Sequence, residues 1–213
     1  MMNRARREAI LEECTRLLGE HGFDAMTLEQ VAEAAGMAKA MLYKHFKGKE
    51  DLCCAAMASA LERVHDFMRG LAPPLEPAAC LQAVVRWILQ AQLGGAPSLL
   101  PERRSQLRDA LGASEPYQAA LGRVRGLLLQ WAAQAQRNGQ IHPSWTPAMV
   151  AHVVLSGVDN PVTDALRQSG QHSAQDVVDC SARICMHMLH AASLHAPGPG
   201  EPGRCAGTCG AAG

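Results

Sequence analysis

The chain has 213 residues, of which 48% are hydrophobic and only 4% aromatic. That is enough for one large domain or two small ones with a core of Leu, Val, Ala and Met. No apolar run reaches the roughly 18 to 20 residues that cross a bilayer, and MMNRARREAILEE at the N-terminus lacks the apolar segment of a signal peptide. These features exclude a membrane partner and point to a cytoplasmic protein, whose eight cysteines are expected as thiols.

Strand-type alternation is rare, so the chain reads as all-α. The first helix is predicted from about Arg4 to His21, with Ile10, Cys14, Leu17, Leu18 and His21 in one apolar stripe. Gly22 closes it and Phe23 packs back on the stripe. Thr27 with Gln30 three residues on is a capping box, and Met26 with Val31 a hydrophobic staple. They start a second helix that runs to about Ala34. Gly36 supplies a left-handed turn, and a third helix follows from about Ala38 to Phe46, with Leu42 and Phe46 inward. Longer helices come next. One spans about 49 to 71, ended by Pro73-Pro74, and another runs from Pro77 to Gly94-Gly95. A shorter one covers about 101 to 111. The next covers about 114 to 139, with Ser114 as cap, Pro116 in the first turn and Gly139 as stop. The segment from Pro147 to about 169 is predicted helical with a break at Pro161. A last helix covers about 173 to 193. Residues 1–50 then form a small three-helix unit, 51–195 a larger helical body, and the Gly/Pro-rich 196–213 a disordered tail.

The net charge of zero argues by itself against a nucleic-acid partner, but its distribution reverses that. From Ala34 to Lys49 the chain carries Lys39, Lys44, Lys47, Lys49 and His45 and no carboxylate. Arg4, Arg6 and Arg7 form a second basic cluster. Two short helices about a tight glycine turn are the helix-turn-helix pattern. A third helix of about nine residues is about 13 Å long, a match for a major groove about 12 Å wide. The Lys39, Tyr43 and Lys44 face supplies donors and cations there. The preceding helix crosses the backbone, its N-terminus at Thr27 able to accept a phosphate.

The block GFDAMTLEQVAEAAGMAKAMLYKHFKGKEDL, residues 22 to 52, resembles the N-terminal DNA-binding domain of the TetR family of transcriptional repressors. The match rests on Gly22-Phe23, Thr27, Val31-Ala32, Ala35-Gly36, Lys39, Leu42-Tyr43, His45-Phe46, Lys49 and Leu52. The resemblance implies that Thr27, Lys39, Tyr43, His45 and Lys49 touch phosphates or support those contacts. It also implies that Ala38, Ala40, Met41 and Lys44 face base edges or sugars. The family often carries Ser or Thr where this chain has Ala38, so a cap worth about 1 kcal/mol is missing. The helical remainder is similar to the family's ligand-binding and dimerisation domain in length and helix count. The resemblance implies that its last two long helices pair with a second copy in a four-helix bundle.

In the body, His152, Ser156, Asp159 or Asn160, and Thr163 recur at steps of about four. This polar line is read as lining a ligand pocket, with a polar seam in a dimer interface as the other reading. Trp87 and Trp131 are expected as walls, so Trp87, Trp131, His152 and Asp159 form the candidate ligand set. Trp145 is a further candidate wall, though a tryptophan in such a place is more often simply core.

No metal site, cofactor or catalytic residue is assigned. Cys180 and His187 share a helix face but stand about 10.5 Å apart, too far to share an ion with ligands near 2 Å. His187 and His190, or Cys205 and Cys209 in the tail, could meet; adjacent Cys53 and Cys54 point apart. Small buried hydrophobes account for most of the thiols, with a metal- or redox-responsive regulator as the alternative. There is no G-x-S-x-G, phosphate loop or H-E-x-x-H, so no enzyme is expected. A helical adaptor would leave the basic helix unexplained. The expected protein is a homodimeric transcriptional regulator, released from double-stranded operator DNA by an unknown small-molecule ligand.

Overall fold

The structure, a computed structural model, describes residues 4–71, 75–100, 106–156, 163, 165–166 and 169–190. Among these the regular elements are helices: α1 (Arg4–Ala25), α2 (Leu28–Ala34), α3 (Lys39–Tyr43), α4 (Lys49–Gly70), α5 (Pro77–Leu93), α6 (Leu107–Ala113), α7 (Glu115–Arg137), α8 (Pro147–Ser156) and α9 (Ala174–His190). The all-α reading therefore stands. The break expected at Pro161, the Pro73-Pro74 stop and the tail lie outside the described residues.

Local chemistry explains most of the boundaries. α1 is kinked at Gly22, whose φ of 74° belongs to the left-handed region that glycine enters at little cost. Its buried face is Ile10, Leu11, Cys14, Thr15, Leu17 and Leu18. The sequence stripe is corrected at one end: His21 is exposed. It sits just before the kink, where the helix leaves the core. The capping box of α2 is present in full. Thr27 Oγ1 accepts from the Gln30 amide at 3.2 Å, and Gln30 Oε1 accepts from the Thr27 amide at 2.8 Å. The Met26 and Val31 side chains are both buried. Ser114 does precede α7, but its side chain makes no cap hydrogen bond.

Three helices end in the same turn. After α2, the Met37 amide reaches Ala32 O at 2.9 Å and the Gly36 amide reaches Glu33 O at 3.0 Å. After α5, Ala96 reaches Ala91 O and Gly95 reaches Gln92 O; after α7, Gln140 reaches Ala135 O and Gly139 reaches Gln136 O. This double bonding is the Schellman motif, which puts one residue into the left-handed region. Gly36, Gly95 and Gly139 occupy it, with φ of 63°, 94° and 71°.

α4 is the central element. It packs on α1 along one part of its surface and on α6 and α7 along another, so its buried face runs from Leu52 through Met57 and Leu61 to Met68. One apolar core therefore continues from Ile10 in α1 to Leu189 in α9. The body is closed by α5 against α7 and α9, and by α8 against α7. Ion pairs tie the surface, Arg123 of α7 to Glu62 of α4 and Arg86 of α5 to Asp179 of α9. Among the described residues, no helix is long and apolar enough to cross a membrane.

Candidate nucleic-acid interface

α2 and α3 meet at the Gly36 turn, and their inner faces lock into the head core through Val31, Ala32, Leu42 and Phe46. With Leu42 and Phe46 held inward, the intervening residues turn outward. Ala38, Lys39, Ala40, Tyr43, Lys44 and His45 are all exposed, as is Thr27 at the start of α2, while Met41 is half-buried. Tyr43 is 52% exposed, so the face assignment made from spacing holds for this residue. The expected nine-residue third helix is corrected: regular α-helix covers only Lys39–Tyr43. Bonds from the His45 and Phe46 amides to Leu42 O, both 2.9 Å, carry the turn to Phe46. The departure has a local cause. Ala38 caps α3 without any side-chain bond, and Gly48 follows closely.

The cations of this face differ in what they touch. Lys39 is ion-paired with Glu29 of α2, and its ammonium lies 5.7 Å from the Tyr43 ring centroid. The pair is exposed and worth little by itself, but it directs Lys39 along the α2–α3 junction. Lys49 is half-buried. Its ammonium donates to Asp24 O at 3.2 Å and stands 4.4 Å from the Phe23 ring centroid, so it fastens the start of α4 to the end of α1. In the N-terminal cluster, Arg4 pairs with Glu8 at 2.8 Å and Arg7 lies 6.0 Å from the Phe46 ring centroid. Lys44 has no ion-pair partner among the described residues, and no carboxylate lies between Ala34 and Lys49.

Residues 10–56 match the family model of bacterial regulatory proteins, tetR family. That window holds the stripe of α1, the capped α2, the glycine turn, the exposed face of α3 and the start of α4. Residues 10–56 are therefore similar to the amino-terminal domain of TetR-family regulators. It is 31% identical over 84 residues to the HTH-type transcriptional regulator BetI of Rhizobium meliloti, covering 38% of this chain and 41% of BetI. It is 35% identical over 66 residues to the tetracycline repressor protein class D of Escherichia coli, 31% of this chain and 30% of the repressor. The chain thus spans less than half the length of these relatives. The transcriptional regulator FadR of Bacillus subtilis, solved in complex with stearoyl-CoA, shares the fold. Its TM-score is 0.61 at 17% identity, over 85% of this chain and 97% of that one. The family model thus covers the amino-terminal helices alone, and the likeness to solved structures over the whole chain is one of fold.

Of the body residues expected to form one pocket, Trp87 lines a cavity that neither Trp131 nor His152 lines. Trp87 stacks on Phe67 of α4, ring centroids 5.7 Å apart, and borders a largely apolar cavity of about 150 Å³ with Ala60, Arg63, Ile88, Gln92, Pro97 and Leu99. Trp131 packs at the edge of the core. His152 is exposed on α8 and is not among the residues around the Trp87 cavity, which corrects the grouping. Asp159 lies outside the described residues. The polar line ends inside the protomer, where the Thr163 and Ser181 hydroxyls meet at 2.9 Å. The sequence reading missed the turn residues Pro97 and Leu99 as cavity walls, because nothing local marks them.

Four of the described thiols are held in their protonated form. Cys14, Cys53, Cys54, Cys80 and Cys185 are buried and Cys180 half-buried, all unbridged. Contact with Cys53 and then burial push the Cys14 thiol up, and burial raises Cys54, Cys80 and Cys185, the last to about 11. A thiol so raised is a poor nucleophile and a poor metal ligand at neutral pH. Among the described residues no group of three or more His, Cys, Asp or Glu could hold a metal ion. Cys205 and Cys209 lie outside them.

Proposed function

We propose that the chain is a cytoplasmic, homodimeric transcriptional repressor that binds a palindromic operator and is released by a small ligand. The observation that carries the reading is the exposed, carboxylate-free face of α3, held by the Gly36 turn on a capped α2. In the proposed complex, Lys44, Ala38, Ala40 and the open side of Met41 face base edges or sugars. Thr27, Lys39, Tyr43 and His45 contact phosphates, and Lys49 supports them from the base of α4. Residues 1–50 would be the reading head and 51–195 the ligand-binding and dimerisation body.

Dimerisation is assigned to α8 and α9. Met149 and Met188 are each 47% exposed, a cost in water that a partner's helices would remove. Exposed His152 on α8 fits this seam better than a pocket. The ligand is assigned to the Trp87 cavity. FadR, of the same fold and solved with stearoyl-CoA, supports small-molecule control of a body of this kind.

The test is selection of bound fragments from bacterial genomic DNA, followed by titration of the recovered duplex at several salt concentrations. The expected result is a palindromic site with half-sites about 34 Å apart or a multiple and affinity falling steeply with salt. Recovery of no preferred sequence would overturn the reading.

A further inference from the structure

The Schellman turn that ends α5 has two working sides. Its inner side supplies Ala91, Ala96, Pro97 and Leu99 to the wall of the Trp87 cavity. Its outer side lies on α1. A Cβ built on Gly19 would stand 2.0 Å from the Gly95 carbonyl oxygen and 3.0 Å from the Ala96 carbonyl carbon. Both are backbone atoms that no rotamer change can move away, so with the turn in this place position 19 must be glycine. Gly95 cannot readily yield, because its φ of 94° suits glycine and is fixed by the two turn bonds. The far end of the turn is tied to the body, where the buried Tyr117 hydroxyl donates to Leu99 O at 2.9 Å. One short stretch of backbone therefore touches the cavity, α1 and α7.

The neighbours of Gly19 carry the contact onward. Leu17 and Leu18 are buried in the head core, and α1 packs directly on α2. A shift of the turn cannot be absorbed at Gly19 as a side-chain rotation; it moves the helix. The cavity itself, about 150 Å³, is lined mainly by apolar groups of Trp87, Ile88, Pro97 and Leu99, with Arg63 and Gln92 also on its wall, and is of the size that admits one benzene-sized molecule.

We propose that the Trp87 cavity takes one small apolar ring or branched hydrocarbon group, and that its occupancy reaches the reading head through the α5 turn seated on Gly19. This rests on the reading of the chain as a ligand-released regulator and names both the ligand class and the route. Such a ligand shifts the head only if it prefers the displaced turn, since equal affinity for both positions moves nothing.

Benzene serves as the probe, with hydrogen–deuterium exchange of the full chain as the readout. Benzene is expected to slow exchange in peptides covering 91–99 and to change it at least twofold in peptides covering 15–21. In Gly19→Ala the response at 91–99 should persist. The variant's affinity for the selected operator should already be lower by about tenfold without benzene, an ordinary size for coupling between sites. Ala91→Leu, which fills the cavity from its wall, should lower operator affinity likewise and abolish the benzene response. A response at 91–99 with none at 15–21 overturns the route through Gly19. No response in either segment overturns the ligand class. Exchange is read without DNA, so neither failure is confused with a chain that binds no operator.

Discussion

At the scale of single residues, two lysines that look alike in sequence have different surroundings. Lys44 is exposed and has no ion-pair partner among the described residues, so Lys44→Ala should leave the melting temperature unchanged. It should weaken binding to the selected operator by about 1–3 kcal/mol if the side chain reads a base edge, measured by anisotropy against matched and mutated duplexes. Lys49 is fastened to Asp24 and Phe23. Lys49→Ala should therefore lower the melting temperature as well as affinity; a variant that loses affinity alone would show the ammonium free to leave those partners. Tyr117 makes a pH prediction. Burial raises its phenol from about 10 to about 12. Between those values the unfolded chain releases a proton that the folded one keeps, so stability is complete below pH 10 and is lost as pH rises towards 12. Tyr117→Phe should flatten that part of a denaturation profile.

At the scale of elements, the head was legible because its signals are local. A capping box, a staple and a glycine turn are contacts among residues within six positions; the box at Thr27 and the turn at Gly36 are present, and Met26 and Val31 are both buried. The exposed face of α3 followed from the inward pair Leu42 and Phe46, four apart. The length of α3 did not follow, since Ala38 offers no side chain to its first turn and a helix this short has little stability of its own. Gly36→Ala tests the turn. A side chain held at a φ of 63° costs about 1–2 kcal/mol, so the melting temperature should fall and operator affinity with it. Equal stability would mean that the α2–α3 junction relaxes without loss. The engagement of Lys39 by Glu29 lay beyond local reading: the two are ten positions apart and meet only because the turn folds α3 back beside α2.

At the scale of the whole molecule, α4 makes head and body one packed object, with a single core from Ile10 to Leu189. A regulator built this way can pass strain between its ends through packing alone. The proposed dimer face is tested by Met188→Glu. A carboxylate placed in an apolar seam is costly to bury, so the variant should sediment as a monomer and lose operator affinity while keeping its helix content. A dimer of unchanged affinity would move the interface away from α9. What the sequence by itself determined were the helices, the turn between α2 and α3 and the likeness of residues 10–56 to the tetR family model, because these depend on spacing of a few residues and on steric preferences of single ones. What only the tertiary structure decided were the cavity beside Trp87, which His152 does not line, and the seating of Gly95 on Gly19. Each of these joins chain segments dozens of positions apart, and the close approach of two backbones is recorded in sequence only as a glycine, which has many other reasons to be there.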